Sequence, residues 1–203
     1  LAQANPARDG EALSRMRLIS DTVRNAPGLI NTRFYRSRAP ENYYFLLTTW
    51  ESAEWWEKAQ ERLSPYKLLQ ESAPGIFPTP ADQWLMQYLW GYSRPLAQPM
   101  VAAAHLAMVR QEHSNRVQQS WLESLQRQAF EPILSFALLA RSIDEEPGGL
   151  SRRLPGQGPM FFNLLSWPGE IYREDFYSHE SHRHLQSLLN STGVLRILNL
   201  DPI

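Results

Sequence analysis

The histidines near the end of the chain are the residues best suited to acid–base chemistry. The segment SHESHRH at 178–184 carries His179, His182 and His184. On one continuous helix, about 100° per residue places His179 on the side of Phe176, facing a sheet, and His184 on another side. A histidine there is most often a core residue with one hydrogen bond, but it could also be a general base. We predict His179 as the base, and surface positions for His184 and His182.

Asn163 is the second residue singled out for chemistry. It interrupts the apolar strand FFNLLSW on the same side as Leu165 and Trp167, because side chains alternate along a strand. An amide and an imidazole facing one cavity could orient an oxygen-rich aromatic molecule and remove its proton, as a cofactor-free oxygenase requires. A metal site could use His179 and His182 with a distant carboxylate, but only this pair has the spacing of metal ligands on a helix. We therefore predict His179 and Asn163 as catalytic residues, with no metal and no cofactor.

Three tryptophans crowd the segment TTWESAEWWEKAQERL at 48–63. Helical spacing places Trp55 on the face that packs on the sheet and turns Trp56 toward the helix edge. One interpretation is that these rings fill a thin core. The other is a slot between helix and sheet for a flat ligand. The residues that would line such a slot are Trp50, Trp56, Tyr66, Trp167 and Tyr44.

Composition excludes several classes of function. The 203 residues carry a net charge of −1, which gives no basic surface for nucleic acid or anionic lipid. The absence of cysteine excludes disulfides, thiolate nucleophiles and zinc–sulfur sites. No stretch approaches the roughly 20 apolar residues of a membrane helix, and no targeting segment opens the chain. We expect a cytoplasmic protein with neither nucleic acid nor membrane as a partner.

The chain repeats itself. Residues 129–142 align under 23–37, and residues 160–185 align under 43–68, with the same order of elements in both halves. The second half carries twelve extra residues, which fit an enlarged Gly/Pro-rich loop at 144–159. We predict a first repeat at 1–95, with its last strand at 81–90, and a second repeat at 100–203. Part of the first strand is expected upstream of Leu1.

Each half follows the order β-α-β-β-α-β, which is the ferredoxin-like pattern. The predicted second helix of the second half runs through 169–190. The sheet face away from the helices carries large apolar side chains, which are Phe34, Phe45 and Leu47 in one half and Phe136, Leu138 and Phe162 in the other. Packing the two sheets face to face would bury them. We therefore predict an α+β fold, a pseudo-dimer within one chain that could also form a homodimer.

Residues 27–65, PGLINTRFYRSRAPENYYFLLTTWESAEWWEKAQERLSP, resemble the antibiotic biosynthesis monooxygenase (ABM) family of dimeric α/β barrels. That family has a PG-led strand, a hairpin, a strand ending in W-x-S and a helix in this order. In the second half WPG at 167–169 stands where WES stands at 50–52. The resemblance implies the fold, and family members include cofactor-free oxygenases, haem-degrading enzymes and isomerases. The haem degraders carry a histidine about ten residues after a helix tryptophan, where this chain has Tyr66, which counts against haem.

The leading functional hypothesis is binding of a small apolar or aromatic molecule, with cofactor-independent oxygenation as the activity considered. The second half is favoured as the working half because it carries the histidines. The alternatives are a non-catalytic scaffold or protein-interaction module and, less favoured, a haem-binding protein. An open cavity of roughly 300 Å³ or more beside His179 would favour small-molecule chemistry, and a filled core there would favour the scaffold.

Overall fold

The structure is a computed structural model that describes residues 1–71, 74–94, 100–129, 133–143 and 157–203. The chain divides into two compact units. Unit 1 comprises Leu1–Gln83 with Asp201–Ile203, and unit 2 comprises Trp84–Leu200. Most of the enlarged loop predicted at 144–159 lies outside the described residues.

Unit 1 contains three strands and three helices, which are β1 (Ala2–Gln3), α1 (Asp9–Arg24), β2 (Leu29–Ser37), β3 (Tyr43–Trp50), α2 (Ala53–Leu63) and α3 (Pro65–Gln70). Its antiparallel strands lie in the order β1-β3-β2. The α2 helix begins because the Ser52 side chain accepts a hydrogen bond from the Trp55 N–H at 3.3 Å. The chain then breaks between α2 and α3, since Ser64 caps α3 and Pro65 occupies its first turn.

The core of unit 1 lies between α1 and the helix-facing side of the sheet. Phe34 stacks on Tyr44 at 5.9 Å, and both pack with Ala12 and Met16 of α1. The prediction that Phe34 lies on the opposite face, with Phe45 and Leu47, is therefore wrong. Phe34 pairs with Leu46 across the strands, and directly opposed residues share one face of a sheet.

Unit 2 contains a complete β-α-β-β-α-β element order preceded by one further strand. Its elements are β4 (Met86–Ser93), β5 (Val101–Arg110), α4 (Ser114–Ala129), β6 (Phe136–Ser142), β7 (Gln157–Trp167), α5 (Glu170–Ser178), α6 (Glu180–Thr192) and β8 (Gly193–Pro202). The strands are antiparallel in the order β8-β5-β7-β6-β4. Two helical segments, α5 and α6, stand where one helix is predicted.

The strand β4, predicted as the last strand of the first repeat, pairs with β6 of unit 2. The pairing runs from Met86 opposite Ser142 to Ser93 opposite Phe136. Its Trp90 and Tyr92 pack against the core of unit 2. In unit 1, Asp82 lies four residues before β4 and exchanges two backbone hydrogen bonds of 2.8 Å with Leu1. The compact units therefore divide before β4, and the repeat boundaries stay a prediction.

The two faces of the sheet in unit 2 are both apolar. The helix-facing side carries Ala103, Phe161, Leu165 and Trp167, which pack with α4, α5 and α6. The other side carries, in agreement with the prediction, Phe136, Leu138 and Phe162. No helix among the described residues is long and apolar enough to span a membrane. The chain is thus an α+β protein of ferredoxin-like elements, as predicted.

Candidate functional site

The predicted helix through 169–190 breaks at His179. The backbone there is extended, with φ −64° and ψ 137°, so α5 ends at Ser178 and α6 begins at Glu180. The His179 Nδ1 atom accepts the Ser181 N–H at 3.3 Å and lies 2.8 Å from Ser181 Oγ. An imidazole here fills the role that Ser, Asp or Asn usually has at a helix N-terminus. The continuous helix assumed from the sequence is therefore wrong at this residue.

The hydrogen bonds around His179 fix its tautomer. Gln128 Nε2 donates to Ser181 Oγ at 3.0 Å, so the Ser181 hydroxyl hydrogen is left to point at the imidazole. With Ser181 N–H and O–H both donating to Nδ1, the neutral ring of His179 carries its proton on Nε2. The basic nitrogen of the predicted base is thus engaged in capping a helix.

A cleft of about 480 Å³ opens between α4 and the start of α6. Its lining residues are Ser120, Glu123, Ser124, Arg127, His179, Glu180, Ser181, His184 and Leu185. Small-molecule sites usually have about 300–1,000 Å³. All the lining side chains except Leu185 are polar, so the cleft is suited to a ligand that carries several hydrogen-bonding groups. We call this the α4–α6 cleft.

The buried histidine of the segment is His182, not His179. His182 is 5% exposed and packs against Phe176 at 4.8 Å and Tyr177 at 4.9 Å between ring centroids. The predicted surface position of His182 is therefore wrong, because the break at His179 changes the phase of the helix. A second imidazole, His105 of β5, lies 6.0 Å from His182 and contacts the Tyr177 hydroxyl through Nε2 at 3.1 Å. We call His105, Phe176, Tyr177, His182 and Trp167 the histidine cluster.

The histidine cluster holds both imidazoles neutral. Burial lowers the pKa of His105 to about 3, with a further contribution from His182, while the Asn163 backbone acts in the opposite direction. Burial, and then the neighbouring His179, lowers the pKa of His182 to about 4. Both nitrogens of His182 and the Trp167 Nε1 atom are buried without a hydrogen-bond partner. His105 Nδ1 makes no hydrogen bond of ordinary geometry either.

Asn163 and Trp167 lie in the layer between helices and sheet and do not line the cleft. Asn163 Oδ1 accepts from Trp121 Nε1 at 3.2 Å, and its Nδ2 donates to the Leu138 carbonyl at 2.9 Å. Trp167 is fully buried against Phe176, with ring centroids 5.4 Å apart. Side chains therefore fill this layer in unit 2, and the predicted ligand roles of Asn163 and Trp167 have no support from the position of the cleft.

The aromatic residues predicted to line a slot in unit 1 have different environments. Tyr44 is fully buried and donates to Asp9 Oδ1 at 2.8 Å, while burial raises its pKa. Trp50 is half-buried and donates from Nε1 to Thr48 Oγ1 at 3.0 Å. Trp56 and Tyr66 are also half-buried. Their role as ligand contacts stays a prediction.

Trp55, predicted to face the sheet, is 38% exposed. Its ring covers Gly28, where a Cβ would lie 2.3 Å from Trp55 Cγ. The Lys58 ammonium group lies over the Trp55 ring, 5.1 Å from the ring centroid. The indole of Trp55 therefore packs on the backbone of Gly28 and not on a side chain of the sheet.

Sequence reasoning missed the α4 side of the cleft and, in the histidine cluster, His105. On α4, Ser120, Glu123, Ser124 and Arg127 recur at helical spacing beside the apolar stripe of Val117, Trp121 and Leu125, and that polar stripe was a usable signal. On β5, alternation places His105 on the same face as Ala103 and Ala107, which predicts a buried imidazole. In the part of the chain that the structure describes, no three acidic or histidine side chains are grouped to hold a metal ion.

Comparison with known proteins agrees with this fold. Residues 3–63 match the family model described as antibiotic biosynthesis monooxygenase. Comparison with curated proteins gives no significant match.

The chain is also similar to solved structures at low identity. An anthrone oxidase-like protein is 9% identical with a TM-score of 0.71, and the match covers 100% of this chain and 88% of that protein's chain. A monooxygenase-like protein from Listeria innocua is 10% identical with a TM-score of 0.56, covering 94% and 88%. The haem-degrading enzyme of Listeria monocytogenes is 10% identical with a TM-score of 0.53, covering 91% and 92%.

At such identities these structures establish the fold alone. The family match, in contrast, covers the hairpin and helix on which the sequence resemblance was based. Residues 3–63 of this chain therefore match the antibiotic biosynthesis monooxygenase family model, in agreement with the resemblance seen in residues 27–65.

Proposed function

We propose that this chain binds a small hydroxylated aromatic molecule in the α4–α6 cleft. The supporting observation is the volume of about 480 Å³ bordered by His179, which lies within the range of about 300–1,000 Å³ expected for a small-molecule site. The cleft differs from the apolar slot expected from the sequence. Its polar lining favours a ligand whose ring carries hydroxyl or carbonyl oxygens.

The lining groups give each part of such a ligand a contact. The Leu185 side chain offers an apolar floor for a ring, and the hydroxyls of Ser120 and Ser124 can donate to or accept from its substituents. Arg127 makes no hydrogen bond or ion pair with the described residues, so its guanidinium group can bind a ligand oxygen without losing a protein partner. Hydrogen bonds to charged groups contribute about 1.5–3 kcal/mol each.

Cofactor-independent oxygenation is the second candidate, and the family match of residues 3–63 supports it. In that reaction a methylene group and dioxygen give a carbonyl group and water, so no external reductant is required. The reaction needs a base. His179 can act as one only after Nδ1 gives up both bonds to Ser181, whereas His184, in the same cleft, has no hydrogen-bond partner among the described residues.

Binding is tested with a hydroxylated anthrone as the probe, by isothermal titration calorimetry. We expect Arg127→Met to weaken binding about tenfold to a hundredfold, the equivalent of one charge-assisted hydrogen bond. Arg116→Met, on an exposed position of α4 outside the cleft, is the matched control and should leave affinity unchanged. Absence of binding by the unaltered chain, or equal effects of the two variants, would overturn the proposal.

Oxygenation is tested by oxygen uptake in the presence of the same probe. An oxygenase should consume one dioxygen per product carbonyl, and His184→Asn should slow uptake more than His179→Asn if His184 is the base. Binding without oxygen uptake would reduce the function to small-molecule binding. If the chain neither binds the probe nor consumes oxygen, the scaffold is the better explanation.

Haem binding is tested by adding haemin and recording the Soret band. We expect no shift, because His182 is buried and the Nδ1 lone pair of His179 caps α6. A Soret shift that disappears in His179→Ala would favour the haem alternative instead.

A further inference from the structure

We propose that acidification prevents ligand binding by releasing the start of α6, which forms one wall of the α4–α6 cleft, through protonation of His182. This regulation rests on the proposed function, since it acts on the same cleft. It goes beyond that function because it assigns a control to a buried imidazole that does not line the cleft.

The first half of α6 forms the wall that would move. Five of the nine lining residues lie at its start, namely His179, Glu180, Ser181, His184 and Leu185. The backbone of this segment is held at its beginning, where the N–H groups of His182 and Arg183 both donate to the His179 carbonyl at 3.1 Å. Displacement of this turn would therefore dismantle the cleft from one side.

A side chain caps the start of α6. The His179 Nδ1 atom accepts the Ser181 N–H, which satisfies one of the N–H groups that a helix start leaves without a backbone partner. His182 lies in the same first turn of this 13-residue helix, next to the capped residue.

Packing of α6 requires a neutral His182. The His182 ring is wedged among Phe176, Tyr177 and His105, and neither of its nitrogens has a partner that would stabilise a charge. Burial and the neighbouring imidazoles keep the pKa of His182 and the pKa of His105 below the ordinary range. A proton taken up here is accommodated only when the ring reaches water.

The titratable and charged groups on the elements packed around His182 do not offset that penalty. They are Arg173, Asp175 and Tyr177 of α5, Glu123 and Arg127 of α4, His105 of β5, His179 between α5 and α6, and Glu180, Arg183 and His184 of α6 itself. The carboxylates of Glu123 and Glu180 line the cleft and are exposed, so solvent screens them. They therefore do little to stabilise a charge on buried His182.

Hydrogen–deuterium exchange of the intact chain tests this control without a ligand. At about pH 5.5, one unit below the ordinary histidine pKa, protonation of His182 should favour the open state about tenfold over about pH 7.5, after correction for intrinsic exchange. The increase should be confined to residues 180–186, with the amides of α4 as the internal reference. His182→Phe should remove most of the increase, because the imidazole that takes up the proton is then absent.

Affinity for the hydroxylated anthrone, whose phenols stay protonated over this range, completes the test. The unaltered chain should lose binding about tenfold or more at the lower pH, whereas His182→Phe should retain it. His182→Gln, also uncharged, serves if the phenylalanine variant does not fold, and His113→Asn, outside the cleft, is the control. If hydrogen exchange at 180–186 depends on pH but the chain binds no anthrone, the proposed function is contradicted and the pH control is not. Exchange at 180–186 that is equal at both pH values would overturn the control itself.

Discussion

At the scale of single residues, His179 combines two tasks that sequence reasoning kept apart. Its position beside the cleft agrees with its selection as a functional candidate, whereas its Nδ1 atom is used for local structure. The sequence could not show this, because an imidazole is an uncommon helix cap and the segment has neither Gly nor Pro to mark a break. Chemistry at His179 must therefore be separated from helix capping by the choice of substitution.

The capping role predicts different stabilities for two substitutions at His179. Asn retains a side-chain oxygen that can accept the Ser181 N–H, whereas Ala does not. We expect His179→Ala to lower the free energy of unfolding by about 1 kcal/mol and His179→Asn to leave it within about 0.5 kcal/mol at neutral pH. Urea unfolding followed by circular dichroism measures both. Equal losses in the two variants would contradict a capping role.

The buried hydrogen bond between Trp121 and Asn163 makes a second prediction at this scale. Trp121→Phe removes the donor from Asn163 Oδ1, leaving a buried acceptor without a partner. We expect a loss of about 1–3 kcal/mol in unfolding free energy from that hydrogen bond, in addition to the effect of the smaller ring. Trp56→Phe, at a half-buried position in α2, is the matched control and should cost less. A smaller loss for Trp121→Phe than for this control would count against the assignment.

At the scale of helices and strands, periodicity predicted most elements and failed where the chain is not periodic. In α4, for example, Val117, Trp121 and Leu125 recur four residues apart and are all buried, as helical periodicity requires. We assumed one helix through 169–190, but the chain breaks at His179 and a new helix begins at Glu180. The side-chain directions derived for residues after the break were therefore wrong, and His182 was expected on the surface. The pairing of β4 with β6 was also missed, because an apolar strand such as 86–93 does not specify its partner.

The turn before β2 gives a prediction for an element boundary. Gly28 has φ +78°, and a Cβ there would lie 2.3 Å from Trp55. Gly28→Ala should therefore destabilise the chain by more than about 1 kcal/mol. Gly10→Ala in α1 adds a methyl group with no atom within 4 Å and should be neutral or stabilise by up to about 1 kcal/mol. Thermal unfolding of the two variants compares them directly, and similar midpoints would refute the packing of Trp55 on Gly28.

At the scale of the whole molecule, the histidine cluster makes stability depend on pH. The pKa values of about 3 for His105 and about 4 for His182 lie below the ordinary value of 6.5, so the unfolded chain binds more protons between those limits. Stability is then fully present above about pH 6.5 and is lost as pH falls toward 4. Each histidine contributes a slope of up to about 1.4 kcal/mol per pH unit.

Urea unfolding of the unaltered chain and of His182→Phe over about pH 4.5–7.5 measures that slope. We expect the variant to have the shallower dependence on pH, since it retains only one of the two buried imidazoles. His184→Asn, at an exposed position of α6, is the matched control for the loss of one imidazole. A slope that is the same in all three proteins would contradict the burial of His182 as a neutral group.

The fold of the whole chain was more accessible from the sequence than its candidate site. The α+β class follows from the order of elements, and the family resemblance at residues 27–65 agrees with the match at 3–63. The cleft was not predictable in the same way. It forms where the polar stripe of α4 meets the capped start of α6, and the meeting of two distant segments depends on packing that no local pattern encodes.

The location of the ligand site is the central claim, and NMR chemical-shift mapping with a hydroxylated anthrone tests it most directly. The account predicts shifts concentrated in the amides of residues 120–127 and 179–185, which border the cleft. Shifts concentrated instead around Trp50 and Trp56 in unit 1, or no saturable shifts at all, would contradict it.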